Sequence, residues 1–175
     1  MKNNEKGGIK MNKYYIKRVL TFLLLAAAMM GCTSVSQSSG TKKPAETIKS
    51  FEIVTLRLSG MRFTTEYEIV MKDGIAEVIE YAIRYEKDKG NIRVPERKAV
   101  YSANRVLKLL NDCELTAWDG FHGAHPKDVK DGIMFSLKAT VNGGRNIKAD
   151  GSENFPEHFR ELWKGLDAIL RSQNG

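Results

Sequence analysis

This chain has little of what marks most catalytic, metal-bound or disulfide-stapled proteins. Among its 175 residues there are two cysteines, two tryptophans, three histidines and four prolines. One cysteine, Cys32, directly follows an expected N-terminal export signal and is expected to be spent on lipid, which leaves Cys113 alone and excludes an intrachain disulfide in the processed protein. Cys113 closes an apolar helical stripe, where a lone cysteine is a small buried hydrophobe rather than a reactive thiol. No serine stands in a glycine-flanked nucleophile elbow and no phosphate-cradling glycine loop precedes a helix; Gly143-Gly144 belongs to a hairpin. The longest apolar stretch, Val19 to Met30, holds about a dozen residues against the roughly 20 of a spanning helix, so a permanent transmembrane helix is the weaker reading. No internal repeat is present.

One-sided charge is also scarce once the signal is set aside. The formal net charge is +7, from 28 basic and 21 acidic residues. Residues 1–31 hold six of the basic residues and one acidic residue, Glu5, so 22 basic and 20 acidic side chains remain and the net charge falls to +2. A near-neutral exported domain has no electrostatic footprint for a polyphosphate, so no nucleic-acid partner is expected.

What is present begins at the N-terminus. Lys13, Lys17 and Arg18 precede the apolar run, and Met29-Met30-Gly31-Cys32 follows it. A basic region, a short apolar region and small residues before a cut are the parts of a secretory signal. The cysteine straight after Gly31 turns this into a lipobox: Gly31 and Cys32 match the pattern, and Met29 departs from its usual Leu. Cleavage between Gly31 and Cys32 and lipidation of Cys32 are expected, the alternative being a free cysteine at the end of an ordinary signal. Met11 is a plausible start, since Met11 to Gly31 is a complete signal by itself. One acyl chain holds a protein only marginally, whereas two or three on one cysteine anchor it durably.

After Cys32 the chain is too rich in serine and threonine to bury anything. The expected organisation is a signal peptide at 1–31, a flexible tether at 32–49 and a single domain at 50–175. Lys42 and Lys43 in the tether are either lipid-touching or plainly solvated.

In the domain, Phe51 to Leu58 is a β-rich run ending at Ser59-Gly60, with a parity slip between Ile53 and Leu56 that predicts a bulge. Met61, Phe63, Thr65, Tyr67, Ile69 and Met71 alternate with polar neighbours and predict a half-buried antiparallel strand. Asp73-Gly74 then turns the chain. A two-residue loop would set Ile69 beside Val78 but leave Tyr67 opposite Glu80; a three-residue loop pairs Met71 with Ile75 and Tyr67 with Ile79, and is preferred. Residues 75–87 also fit a helical stripe, though strand is favoured. Glu66, Glu68, Glu77 and Glu80 read as the wet face of the sheet.

Ser102 is the expected N-cap of a helix carrying Val106, Leu109, Leu110 and Cys113. Ile133 to Val141 and Arg145 to Ala149 form a second hairpin about Asn142-Gly143-Gly144. Pro156 suits the first turn of a last helix, whose stripe is Phe159, Leu162, Trp163, Leu166, Ile169 and Leu170. The fold class expected is α+β: two layers, an antiparallel sheet of about five strands with two helices on one face.

The most unusual stretch is Trp118-Asp119-Gly120-Phe121-His122-Gly123-Ala124-His125-Pro126, followed by Asp128 and Asp131. Trp118, Asp119, Phe121, His122 and His125 are the ligand candidates. His122 and His125 with a carboxylate would make three ligands for a divalent metal, but Gly123 and Pro126 argue for an ordinary surface loop, and no metal or other cofactor is expected. Trp118 and Phe121 cap the end of the sheet more naturally than they stack on a ligand.

The run Leu109-Leu110-Asn111, Trp118-Asp119-Gly120-Phe121, Asp131-Gly132, Phe135, Asn142-Gly143-Gly144, Ile147, Ala149-Asp150-Gly151-Ser152 and Asn154-Phe155-Pro156 resembles a group of uncharacterised bacterial lipoproteins and exported domains. The resemblance covers roughly the second half of the processed chain. It implies an envelope address and a fixed connection from Gly151 to Pro156 into the last helix, and no activity or ligand.

The expectation is therefore a lipid-anchored bacterial cell-envelope protein facing the periplasm or exterior. It would touch the membrane through lipid on Cys32 and work as a non-enzymatic binding or interaction module with an envelope protein partner. The alternative is a small-ligand or metal-binding envelope protein using the Trp118 to Asp131 loop.

Overall fold

The computed structural model describes residues 45–172. The signal peptide, Gly31, Cys32 and tether residues 32–44 lie outside the described residues, as do the two candidate starts. No helix among the described residues is long and apolar enough to cross a membrane.

The architecture is α+β: one seven-stranded sheet, mostly antiparallel, with two helices packed against it. The strands are β1 (Phe51–Gly60), β2 (Phe63–Lys72), β3 (Ile75–Glu86), β4 (Gly90–Ser102), β5 (His122–Gly123), β6 (Met134–Val141) and β7 (Arg145–Ser152), in the spatial order β4-β3-β2-β1-β6-β7-β5. Helix α1 (Ala103–Asp112) follows β4, a 3-10 turn spans Leu115–Trp118, and α2 (Phe159–Arg171) ends the domain. Two strands exceed the five expected. β4 is an edge strand in which only Ala99 is buried, so no apolar alternation marks it. Pro95 beside a bulge is an edge feature, where its missing N–H costs no ladder bond. β5 is two residues long and pairs parallel to β7, which makes the sheet mixed.

The alternation in β1 buries Val54, Leu56 and Leu58, that in β6 buries Phe135, Leu137, Ala139 and Val141, and both sets meet Val106 and Leu110 of α1 and Leu162, Leu166, Ile169 and Leu170 of α2 in one core. Burial of these side chains is the main stabilising term. Residues 75–86 are strand, as the turn chemistry favoured. The bulge in β1 lies between Phe51 and Ile53, two residues before its expected place, and the first hairpin turns on Met61-Arg62, since Gly60 still pairs with Phe63. α2 begins at Phe159, with Pro156 in the turn before it and His158 at its N-cap. Ser102 is at the N-cap of α1 but makes no side-chain cap bond.

The β2–β3 register corrects the three-residue loop. Lys72 pairs with Ile75 and Met71 with Ala76, so the loop is two residues, Asp73-Gly74, with φ of 51° and 79°. Positive φ at both central positions is the hairpin turn whose twist matches that of the strands, and Asp-Gly supplies it cheaply. Its consequence is the pairing that made this register unattractive: Tyr67 opposite Glu80 on the buried face.

The described part of the segment read as tether is docked on the domain. Ile48 is buried in the core. The Asn111 side chain accepts a bond from Ile48 N–H at 2.8 Å and donates to Ile48 C=O at 2.9 Å. Thr116 does the same for Glu46, and Asn142 bonds Lys49 and Thr47.

Candidate functional site

The strand pairing that sets Tyr67 against Glu80 also sets Glu80 against Arg97 of β4, so three residues on adjacent strands share one row of the helix-facing side. Asp167 and Trp163, one helical turn apart on α2, close over this row. Arg97 donates through Nε to Glu80 and through Nη1 to Asp167 at 2.8 Å, and Arg171 reaches Asp167 from the next turn. Trp163 Nε1 donates to Tyr67 Oη at 3.1 Å. Beside this set opens a cleft of about 680 Å³ whose walls include Phe63, Ile133, Trp163, Arg160 and Lys164. That volume lies in the range of small-molecule sites.

Glu80 is only 8 % exposed, so its charge depends on Arg97; a buried carboxylate without a partner would be neutralised or would unfold its surroundings. The resolved shifts of the cleft groups follow from this interlocking. Burial, and then the nearby Glu80 charge, hold the Tyr67 phenol above its ordinary range, with the Trp163 hydrogen bond opposing. The hydrogen bond to Glu80, followed by that to Asp167, raises Arg97 against desolvation. The Arg97 hydrogen bond holds Asp167 below the usual carboxylate range, with Arg171 adding to it. Each shift moves the group's pKa further from pH 7.

None of these residues was singled out as a site from the sequence. Glu80 had been assigned to the wet face with Glu66, Glu68 and Glu77. Those three do face outward, where Arg93 bridges Glu66 and Glu68 at 3.0 and 2.9 Å and Lys98 pairs with Glu77. Glu80 is on the opposite face. The available signal was the short Asp-Gly loop together with an arginine in the unassigned segment 88–101.

The loop candidates divide. Trp118 is 2 % exposed and joins a ring cluster with Phe121, Phe135, Phe155 and Phe159, in which Phe155 and Phe159 stack at 4.4 Å. The Asp119 carboxylate accepts a bond from Lys148 N–H at 3.4 Å. Gly123 and Gly151 lie side by side, and a Cβ on either would collide with the Asn154 carbonyl, so the Gly151 to Pro156 connection crosses the β5–β7 pair at a distance only glycine permits. His122 and His125 are exposed and line a second hollow of about 430 Å³ with Arg57, Asp150 and Ser152. His122 Nδ1 meets Asp150 at 2.5 Å, and His125 is engaged by Ser152 Oγ at 2.8 Å and Val129 C=O at 2.7 Å. The two imidazoles thus turn to different partners. Among the described residues the set of three metal-ligand side chains whose donor atoms converge within 4.8 Å is Glu114, Glu157 and His158, outside this loop.

Cys113 is buried, and that burial pushes its thiol up to about 11, with Glu161 and Asp112 adding to the shift.

No protein-family model, curated protein or solved structure matches the chain.

Proposed function

We propose that the protein is a lipid-anchored component of the bacterial cell envelope, held by acyl chains on Cys32 and facing the periplasm or exterior. It acts as a non-enzymatic binding module through the cleft between α2 and strands β2–β4. The observation that carries this reading is the cleft's construction. Its polar floor is locked by mutual pairing of Glu80, Arg97, Asp167 and Tyr67, and the resolved shifts raise Tyr67 and Arg97 and lower Asp167, each away from the near-neutral range in which an acid–base catalyst works. Such mutual pairing holds the floor in one shape.

The docked segment 46–49 and the cleft are at opposite ends of one strand. β1 starts at Phe51, directly after the docked segment 46–49, and ends at Gly60 beside Phe63 at the cleft. Ten residues of strand separate them by about 30 Å.

Two readouts on the full chain in a bacterial host test this. Metabolic labelling with an alkyne palmitate analogue labels the wild type and not Cys32→Ser; label on the variant overturns the anchor. A benzophenone amino acid at Lys164, at the cleft, captures an adduct on illumination of intact cells, detected by mass on the purified protein, whereas the same group at Lys127 does not. Equal capture at both positions overturns the cleft. The second reading, a small-ligand site at the His122–His125 hollow, is favoured by the 430 Å³ recess on the outer face and predicts capture from Ser136 instead.

A further inference from the structure

We propose that the cleft takes a small amphipathic anion: an apolar body seated against Phe63, Ile133 and Trp163, with one negative group held by Arg160 and Lys164. This rests on the cleft being the binding site and adds the chemical class of its ligand.

The apolar part of the argument is the exposure of aromatic surface. Phe63 is 43 % exposed at the first position of β2, although the strand's alternation directs it to the helix-facing side where its neighbours Tyr67 and Ile69 are buried. Trp163 is half-buried, and its only polar atom is already given to Tyr67 Oη. What Trp163 offers the cleft is carbon surface. A mixed aromatic and aliphatic wall of this kind favours a flat or compact hydrocarbon body.

The charged part follows from which cations are spent. Five ionised side chains line the cleft. Arg97 is paired with both Glu80 and Asp167, and Asp167 is shared with Arg171. Arg160 and Lys164 are exposed, and no carboxylate among the described residues pairs with either. They stand four residues apart on α2, the spacing at which like charges on a helix repel. Both acidic groups of the cleft are neutralised and both remaining cations are not, so the recess carries uncompensated positive charge beside apolar surface. An anion between Arg160 and Lys164 relieves their repulsion, and the apolar wall supplies the rest of its contact.

The test uses two probes with the same aromatic body: 1-anilinonaphthalene-8-sulfonate, an anion, and N-phenyl-1-naphthylamine, which is neutral. Binding to the purified full chain is followed by probe fluorescence and by quenching of tryptophan emission. The sulfonate binds more tightly than the amine, and added salt weakens the sulfonate alone. Arg160→Gln/Lys164→Gln, two surface changes that leave the thermal transition in place, weakens the sulfonate by about tenfold or more, the scale of losing hydrogen bonds to a charged group, and leaves the amine unchanged. Lys127→Gln/Lys130→Gln, an equal loss of charge in the exposed loop, leaves both unchanged. Equal affinity for the two probes with no effect of the cleft variant overturns the anionic preference alone. Failure of both probes to bind the wild type overturns the cleft as a binding site. Equal losses in the two double variants show that net charge, not this seat, holds the anion.

Discussion

Two aromatic regions flank α2, and they differ in everything except composition. Trp118, Phe121, Phe135, Phe155 and Phe159 close on one another, ring against ring. Phe63, Tyr67 and Trp163 leave a recess between them and finish it with charge. The first region is conspicuous in the sequence because it is built from contiguous aromatic, glycine and proline motifs. The second is assembled from three strands and a helix, one residue from each turn or row, and has no motif. A conspicuous motif in this chain marks what is packed, and the candidate site lies where the sequence is plain.

The comparison is broken most directly by truncating its two tryptophans. Trp118→Ala empties a closed cluster and should cost about 3–5 kcal/mol in urea unfolding, as for large aromatics removed from a core. Were it to cost less than about 1 kcal/mol, the ring cluster would not be a structural unit. Arg97→Ala should come next, at about 2–3 kcal/mol, below the full loss of a buried pair because Arg97 is itself a quarter exposed. Glu80→Gln should cost less than Arg97→Ala, since it removes the stranded charge and keeps a hydrogen-bonding group. The reverse order would mean that Glu80 does not depend on Arg97. Trp163→Ala should cost only about 1–2 kcal/mol, for a half-buried side chain and one neutral hydrogen bond.

The smallest effect is on pH dependence. Asp167 is held below its ordinary value of 3.8 by Arg97. A depressed carboxylate contributes stability that is present above its unfolded pKa and is lost as pH falls through the folded one. Unfolding free energy should therefore decline below about pH 4, and Asp167→Asn should flatten that acid limb by less than about 1 kcal/mol, given its partial exposure. An acid limb identical in the variant would show that Arg97 is held by Glu80 alone.

Much of this fold was legible in local pattern. The alternations in β1, β2, β6 and β7, the helical stripes of α1 and α2 and the turns at Asp73-Gly74 and Asn142-Gly143-Gly144 all carry their own periodicity or turn chemistry. β4 was not legible, because an edge strand with one buried side chain alternates nothing, and β5 was not, because two residues cannot show a period. The cleft went unseen for a linked reason. The two-residue register was set aside because it buried Glu80, and the residue that makes that burial tolerable, Arg97, lies on the unread strand. An error in one strand thus hid a charge pair shared by two. Trp163 was expected at the centre of its helix stripe; it sits at the stripe's margin because the sheet beneath it carries Tyr67 and Glu80, not aliphatic side chains.

The docked segment at residues 46–49 makes this domain a mechanical part as well as a chemical one. It leads straight into β1, which lies between β2 and β6 and is hydrogen-bonded along both sides. A pull on the chain at Ala45 first loads the side-chain bonds from Asn111, Thr116 and Asn142. Only when these give way does tension reach β1, and it then acts along the strand, so that the two ladders resist together in shear. One of those ladders is made with β2, whose Phe63, Thr65 and Tyr67 wall the cleft, so load carried by β1 arrives at the cleft through β2.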